Sequence, residues 1–121
     1  MEKLKHILES QQFSREWLEN ELFPLAAEME KIVKEKGSWP TVKYFFKRRA
    51  LSGKRMVSFF YEPSTRTQAS FEMAMDRLGG TVVYSTNNAK EFSSVAKGES
   101  IEDTIRAFCG YHPDVIVLRT D

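Results

Sequence analysis

The stretch Phe60–Glu72 reads FYEPSTRTQASFE and decides the fold of this chain. It follows Met56–Tyr61, a short apolar and aromatic run that is typical of a strand. Beyond it, Phe71, Ala74, Met75 and Leu78 recur at helical spacing before Gly79-Gly80, which predicts a helix that stops there. The order is therefore strand, hydroxyl-rich turn, helix. In open α/β sheets, ligands bind beyond the carboxyl ends of the strands, at turns of this kind.

Two further segments are predicted to be strands, namely Thr81–Ser85 and Asp114–Arg119. A helix that begins at Ser100, with an apolar side that includes Cys109, lies between them. Strands that are almost continuously apolar and alternate with helices indicate a parallel sheet that is buried on both faces. We therefore expect an α/β fold, a parallel sheet with helices on both faces.

Helices are also predicted ahead of the sheet. Ser14 begins a long amphipathic helix, and its apolar stripe continues past Pro24, which predicts a kink rather than two separate helices. Ser38-Trp39-Pro40 has the form of a second helix start. At 121 residues, with 41% hydrophobic and 29% charged residues, the chain is expected to form one domain over residues 1–121.

Charge and cysteine content narrow the class of protein. A net charge of +1 provides no overall field that would favour nucleic acid or an anionic membrane as partner. Five basic residues cluster near the first strand without interleaved aromatic residues, so we interpret them as a solvated surface: Lys47, Arg48, Arg49, Lys54 and Arg55. Cys109 is the one cysteine, and neither a signal peptide nor a long apolar run is found, which predicts a soluble, cytoplasmic protein.

Ser64-Thr65-Arg66-Thr67 places three hydroxyls and a guanidinium at the start of the predicted helix. A helix start offers unpaired N–H groups and partial positive charge, and hydroxyls with an arginine add directional donors. These groups together predict a phosphate site, which we call the cradle, defined as residues 64–67. The alternative is that Ser64 is only an N-cap, since serine is a preferred residue at that position.

Other residues with chemical potential are fewer. Arg119 ends the third strand and should emerge at the same sheet edge as Ser64, provided that strand order brings the two together. Lys97 and Ser93 lie in a long polar loop that is either functional or simply solvated. Glu62 could act as a base, but beside Arg66 we interpret it as an ion-pair partner that orients the arginine. No spacing of histidines, cysteines or carboxylates predicts a metal site.

With these residues in view, FYEPSTRTQASFE resembles the carbamoyl-phosphate signature of the aspartate and ornithine carbamoyltransferase family. Leu51–Lys54 resembles the segment before that family's first strand. Ser93–Ser100 with the following Glu102–Thr104 resembles its lysine loop and next helix. The resemblance covers most of residues 13–119, and the Lys-Gly-Glu loop favours the aspartate branch.

The resemblance implies a role for each matching position. Arg66 and Lys97 would be catalytic, and Ser93 and Lys97 would reach into the site of a neighbouring subunit, which implies a homotrimer. No metal or cofactor is implied. The residues that would hold carbamoyl phosphate are Ser64, Thr65, Arg66, Thr67 and Arg119.

The resemblance also implies an activity, the transfer of a carbamoyl group from carbamoyl phosphate to L-aspartate in pyrimidine biosynthesis. Alternatives are an enzyme for ornithine or another amine, and a non-catalytic anion-binding or assembly module. Gln68 stands where the family usually has arginine, which leaves the ion pairing of the helix start open. The family continues beyond the point matching Asp121 with a His-Pro-x-Gln segment and an amino-acid-binding domain. We therefore expect an incomplete domain that is inactive alone, with regulatory chains as further partners of the full-length enzyme.

Overall fold

A computed structural model of the chain describes residues 5–35, 49–92 and 97–120. The chain forms two compact units, Met1–Pro40 and Thr41–Asp121. A single domain over residues 1–121 therefore stays a prediction. The helix start predicted at Ser38 and the loop residue Ser93 lie outside the described residues, as do Lys47 and Arg48 of the basic cluster. No helix in the described part is both long and apolar enough to cross a membrane.

The first unit is helical. A 3₁₀ turn at Ser10–Gln12 precedes helix α1 (Arg15–Trp17), a π-helical turn (Leu18–Leu22) and helix α2 (Phe23–Lys34). The Ser14 hydroxyl caps α1 by accepting a hydrogen bond from the backbone N–H of Trp17 at 3.1 Å. The π turn lies directly before Pro24, where the sequence predicts a kink. Proline supplies no N–H, and a π turn is one of the established places where helices bend.

The second unit contains a three-stranded parallel sheet. Its strands are β1 (Arg55–Phe60), β2 (Thr81–Thr86) and β3 (Val115–Arg119), in the order β2-β1-β3. β1 is shifted by one residue from the predicted segment Met56–Tyr61, and β2 and β3 each differ from their predicted segments by one residue at one end. β1 is central and buried from its second residue to its last, because both neighbours and both faces cover it. The parallel α/β fold is confirmed.

Within residues 49–92 and 97–120, three helices connect the strands: α3 (Thr65–Arg77), α4 (Ala89–Phe92) and α5 (Ile101–Cys109). Val57 and Phe59 point to one face of the sheet, where they form the core with Ala89 of α4. Phe108 of α5 packs edge-on against Phe59, with ring centroids 5.5 Å apart. The alternation of side chains along a strand therefore assigns α4 and α5 to this face.

The opposite face of β1 presents Ser58, which is 0% exposed. Gln68 of α3 lies against Ser58, and Met75 is the other buried residue of that helix. Helices thus cover both faces of the central strand β1, as predicted, whereas β2 and β3 contain no buried residue.

Two side-chain predictions for the helices are wrong in part. Of the four apolar residues predicted at helical spacing in and after α3, Met75 is buried and Leu78 is half-buried, but Phe71 and Ala74 are exposed. Cys109, expected on the apolar side of α5, is exposed as well. In α3 the buried line runs through Gln68 and Met75, seven residues apart, which is two helical turns. The polar residue, rather than Phe71, begins this line.

Candidate functional site

The carboxyl edge of the sheet brings the ends of β1 and β3 together. Phe60 and Arg119 are paired in the parallel register of the two strands. The backbone N–H of Tyr61 donates to the Arg119 carbonyl oxygen at 2.9 Å. This long-range pairing supplies the strand order that the sequence leaves open, and it places Arg119 beside the turn that leads into α3.

Arg119 also contacts the cradle directly. Its Nη1 donates a hydrogen bond to the Ser64 Oγ at a distance of 2.7 Å. The two residues are 55 positions apart in the chain. The predicted proximity of Arg119 to Ser64 is therefore confirmed, whereas the role of either residue in binding a ligand stays a prediction.

Ser64 is not an ordinary helix cap. Three helices of the described part begin after a serine, and at two of them the hydroxyl accepts from a first-turn N–H: Ser14 from Trp17 and Ser100 from Asp103, both at 3.1 Å. The Ser64 side chain makes no cap hydrogen bond. The interpretation of Ser64 as only an N-cap is therefore wrong, and its hydroxyl leaves the first-turn N–H groups of α3 available to a ligand.

The electrostatics of the cradle favour an anion. Thr65, Arg66 and Thr67 are exposed, and the first turn of α3 contains no acidic residue. The 13-residue helix directs the positive end of its dipole at this point. The first turn of α3 therefore consists of exposed residues with hydroxyl and guanidinium groups and no carboxylate, at the sheet edge that Arg119 also reaches.

Glu62 does not pair with Arg66, contrary to the interpretation from sequence. Its Oε1 lies 3.6 Å from the Nζ of Lys90 in α4. Within the described residues, Arg66 makes no ion pair with a carboxylate. Arg66 is thus an exposed residue of the first turn of α3, and Glu62 lies near Lys90 instead.

The lysine loop is described only from Lys97 onward, because Ser93 lies outside the described residues. Lys97 is exposed, and no hydrogen bond or ion pair within the described residues joins it to the cradle. The next residue, Gly98, has φ +93°, a left-handed conformation that suits glycine. Glu99 then accepts a hydrogen bond from the buried Thr104 hydroxyl of α5. The structure thus fixes the end of the loop on α5 and does not bring Lys97 and the cradle together.

Gln68 was noted in the sequence as a departure from the family, but its burial against the sheet was not predicted. It lies one turn beyond Ser64, is only 6% exposed and points to the sheet rather than to solvent. The glutamine that replaces the family's usual arginine at this position therefore contributes to the contact between α3 and the sheet. The available signal was the seven-residue spacing between Gln68 and Met75, since both lie on one side of a helix.

This fold and edge geometry correspond to a known class of domain. Residues 5–121 match the family described as "Aspartate/ornithine carbamoyltransferase, carbamoyl-P binding domain". The chain belongs to this family. It corresponds to the carbamoyl-P binding domain of the aspartate carbamoyltransferases, as the relatives below indicate.

Among curated proteins, the chain is similar to the chloroplastic aspartate carbamoyltransferase of Oryza sativa subsp. japonica. The two are 52% identical over 117 residues, which are 97% of this chain and 30% of the relative. The aspartate carbamoyltransferase catalytic subunit of Methanothrix thermoacetophila is 43% identical over 119 residues, 98% of this chain and 34% of the relative. The chain thus spans about a third of the length of these relatives.

Two solved structures have the same fold. The catalytic subunit of M. jannaschii aspartate transcarbamoylase superposes with a TM-score of 0.72 at 41% identity, covering 96% of this chain and 34% of that one. Aspartate transcarbamoylase from Trypanosoma cruzi, solved in complex with carbamoyl phosphate, gives a TM-score of 0.68 at 37% identity, covering 90% and 31%.

Proposed function

We propose that the cradle and Arg119 bind the phosphate group of carbamoyl phosphate. The observation that carries this proposal is the hydrogen bond from Arg119 to Ser64, at 2.7 Å, because it joins a guanidinium to the uncapped start of α3. The family description names the same ligand. A phosphate bound there would accept from first-turn N–H groups and from two guanidinium groups, those of Arg66 and Arg119.

We further propose that the chain supplies this half of an aspartate carbamoyltransferase site. In that reaction the amine of L-aspartate attacks the carbamoyl carbon and loses a proton. The carbon–oxygen bond to phosphate then breaks, giving N-carbamoyl-L-aspartate and inorganic phosphate. Negative charge develops on the carbonyl oxygen and on the departing phosphate. In this proposal Arg66, an exposed residue in the first turn of α3, stabilises that charge, and one well-placed donor is worth about 10²–10³ in rate.

The same proposal assigns Ser93 and Lys97 to the site of a neighbouring subunit in a homotrimer. Its support is that Lys97 is exposed and has no described contact with the cradle of its own chain. In a full-length carbamoyltransferase that includes this chain, Lys97→Ala and Arg66→Ala subunits should each be nearly inactive alone. Mixed trimers should regain turnover, because some sites then combine native groups from two subunits. No recovery on mixing would refute the shared site.

The binding proposal is tested by titrating the chain with carbamoyl phosphate and following phosphorus NMR together with backbone amide shifts. We expect saturable shifts at the amides of residues 65–67, and a large loss of affinity in Arg66→Ala. Ser70→Ala serves as a control, because Ser70 lies on the same helix and its exposed hydroxyl donates only to the Thr67 carbonyl. The absence of amide shifts at millimolar ligand would refute a preformed site. Equal affinity for inorganic phosphate would favour the simple anion-binding module.

The acceptor requires a separate measurement. Turnover of the full-length enzyme with L-aspartate should greatly exceed turnover with L-ornithine at the same carbamoyl phosphate concentration. Preference for ornithine would reverse the assignment of the acceptor and leave the phosphate site intact.

A further inference from the structure

Two serines lie side by side beneath the cradle helix. Ser58 of β1 and Ser85 of β2 are partners in the parallel register, so their side chains point to the same face of the sheet. That face is covered by α3. Ser58 is 0% exposed, which places a hydroxyl in the interior, where it needs a hydrogen-bond partner.

Gln68 supplies that partner. Its Nε2 lies 3.0 Å from the Ser58 Oγ, 3.3 Å from the Ser85 Oγ and 2.9 Å from the Thr86 carbonyl oxygen. The side-chain amide therefore joins α3 to both β1 and β2. One turn further along α3, Glu72 accepts a hydrogen bond from the same Ser85 hydroxyl.

Gln68 is also linked to the cradle through its own backbone. The N–H of Gln68 donates to the Ser64 carbonyl oxygen at 2.9 Å, which closes the first turn of α3. A residue that fixes this turn against the sheet also fixes the direction of the N–H groups before it. Arg119 reaches Ser64 from β3, so the first turn is held by groups from all three strands.

We propose that Gln68 is a positioning residue for the cradle: it sets the orientation of the first turn of α3 by hydrogen bonding to Ser58, Ser85 and Thr86. This inference rests on the proposed function of the cradle. Burial of an amide is unfavourable unless its hydrogen bonds are made, and those bonds are directional, unlike apolar packing. A buried amide with three oxygens within reach fixes helix orientation as well as helix packing.

The test uses three variants of the chain and one control. Gln68→Met keeps the length and bulk of the side chain but removes the amide, and Ser85→Ala removes one of its partners. The third variant carries both changes. Ser70→Ala is the control on the exposed side of α3, where the hydroxyl bonds only within the helix. For each, carbamoyl phosphate affinity is measured by titration, and the folded fraction by circular dichroism.

We expect Gln68→Met to remain folded and to bind carbamoyl phosphate about tenfold more weakly. A change of this size is comparable to the net contribution of about one hydrogen bond. The double variant should bind no more weakly than Gln68→Met, because both changes break one network. In the native chain, the Gln68 side-chain NH₂ resonances should shift on saturation with carbamoyl phosphate. If Gln68 only filled space, the effects of the two substitutions on affinity would be additive, and its NH₂ resonances would not shift when carbamoyl phosphate binds.

The inference would be overturned if Gln68→Met bound carbamoyl phosphate with native affinity, or if the two substitutions weakened binding additively in the double variant. It would also be overturned if the Gln68 side-chain NH₂ resonances did not shift on addition of carbamoyl phosphate. Failure of the proposed ligand is distinguishable. If the native chain does not bind carbamoyl phosphate, yet Gln68→Met shifts the backbone amides of residues 65–67 and Ser70→Ala does not, then the positioning role stands and the ligand assignment falls.

Discussion

The Arg119 guanidinium donates a 2.7 Å hydrogen bond to the hydroxyl of Ser64, a residue 55 positions earlier in the chain. This contact joins the end of β3 to the start of α3 across the carboxyl edge of the sheet. It also occupies the hydroxyl that would otherwise cap the helix. The helix start is therefore left open to a ligand, beside a fixed cation.

The Ser100 hydroxyl caps a helix and the Ser64 hydroxyl does not, so substitution of the two serines should affect stability differently. Ser100→Ala should lower the free energy of unfolding by about 1 kcal/mol, because the Ser100 hydroxyl caps α5 at 3.1 Å. Ser64→Ala should cost less, about 0.5 kcal/mol or below, because it removes only an exposed side-chain contact. Urea unfolding of the two variants gives the comparison. Equal losses would mean that Ser64 acts as a cap after all.

A second prediction concerns low pH. The pKa of Asp114 is lowered from its ordinary value of 3.8, first because its carboxylate accepts a hydrogen bond from the Arg55 backbone N–H and then because Lys54 lies close. A carboxyl group with a depressed pKa in the folded state contributes stability above its unfolded pKa. That contribution is lost as the pH falls through the folded pKa.

Urea unfolding at pH 5 and pH 3 should therefore show a larger loss of stability for the native chain than for Asp114→Asn. The difference in unfolding free energy between the two proteins should shrink as the pH falls below 3.8, because the Asp114 carboxyl then binds a proton in the unfolded state before it does so in the folded state. The same pH dependence in both proteins would contradict the assignment to Asp114.

Two phenylalanines provide a matched test of the core. Phe59 is 1% exposed and packs against Phe108, whereas Phe71 of α3 is 47% exposed. Phe59→Ala should lower the free energy of unfolding by about 3–5 kcal/mol. Phe71→Ala should change it by only about 0.5 kcal/mol, as surface substitutions usually do. Chemical unfolding of both variants checks this order, and a large effect at Phe71 would show that the predicted apolar side of α3 was correct.

Local sequence patterns predicted most of the described secondary structure of the second unit. The apolar run from Met56, the hydroxyl-rich turn at Ser64 and the Gly79-Gly80 stop each depend on neighbours in the chain, and the structure has a strand, a turn and a helix at these places. The position of Arg119 beside Ser64 required strand order as well. That order depends on the pairing of β1 with β3, which brings together residues far apart in the chain.

Gln68 shows why the remainder of the site was missed. The helical spacing of apolar residues in α3 marks Phe71, Ala74 and Met75, yet of these three only Met75 is buried. The buried side begins instead with a polar residue, because hydroxyls of Ser58 and Ser85 lie beneath the helix and need an amide partner. Periodicity of apolar residues carries no information about such a complementary polar contact.

The central claim, that the open start of α3 and Arg119 together bind carbamoyl phosphate, is tested most directly by the dissociation constant of carbamoyl phosphate in the native chain and in Arg119→Gln. The substitution removes the charge, while the backbone pairing of β3 with β1 does not depend on the side chain. Loss of a charged hydrogen bond predicts binding about ten- to a hundredfold weaker in Arg119→Gln. The same dissociation constant in both proteins, with both folded, would contradict the claim.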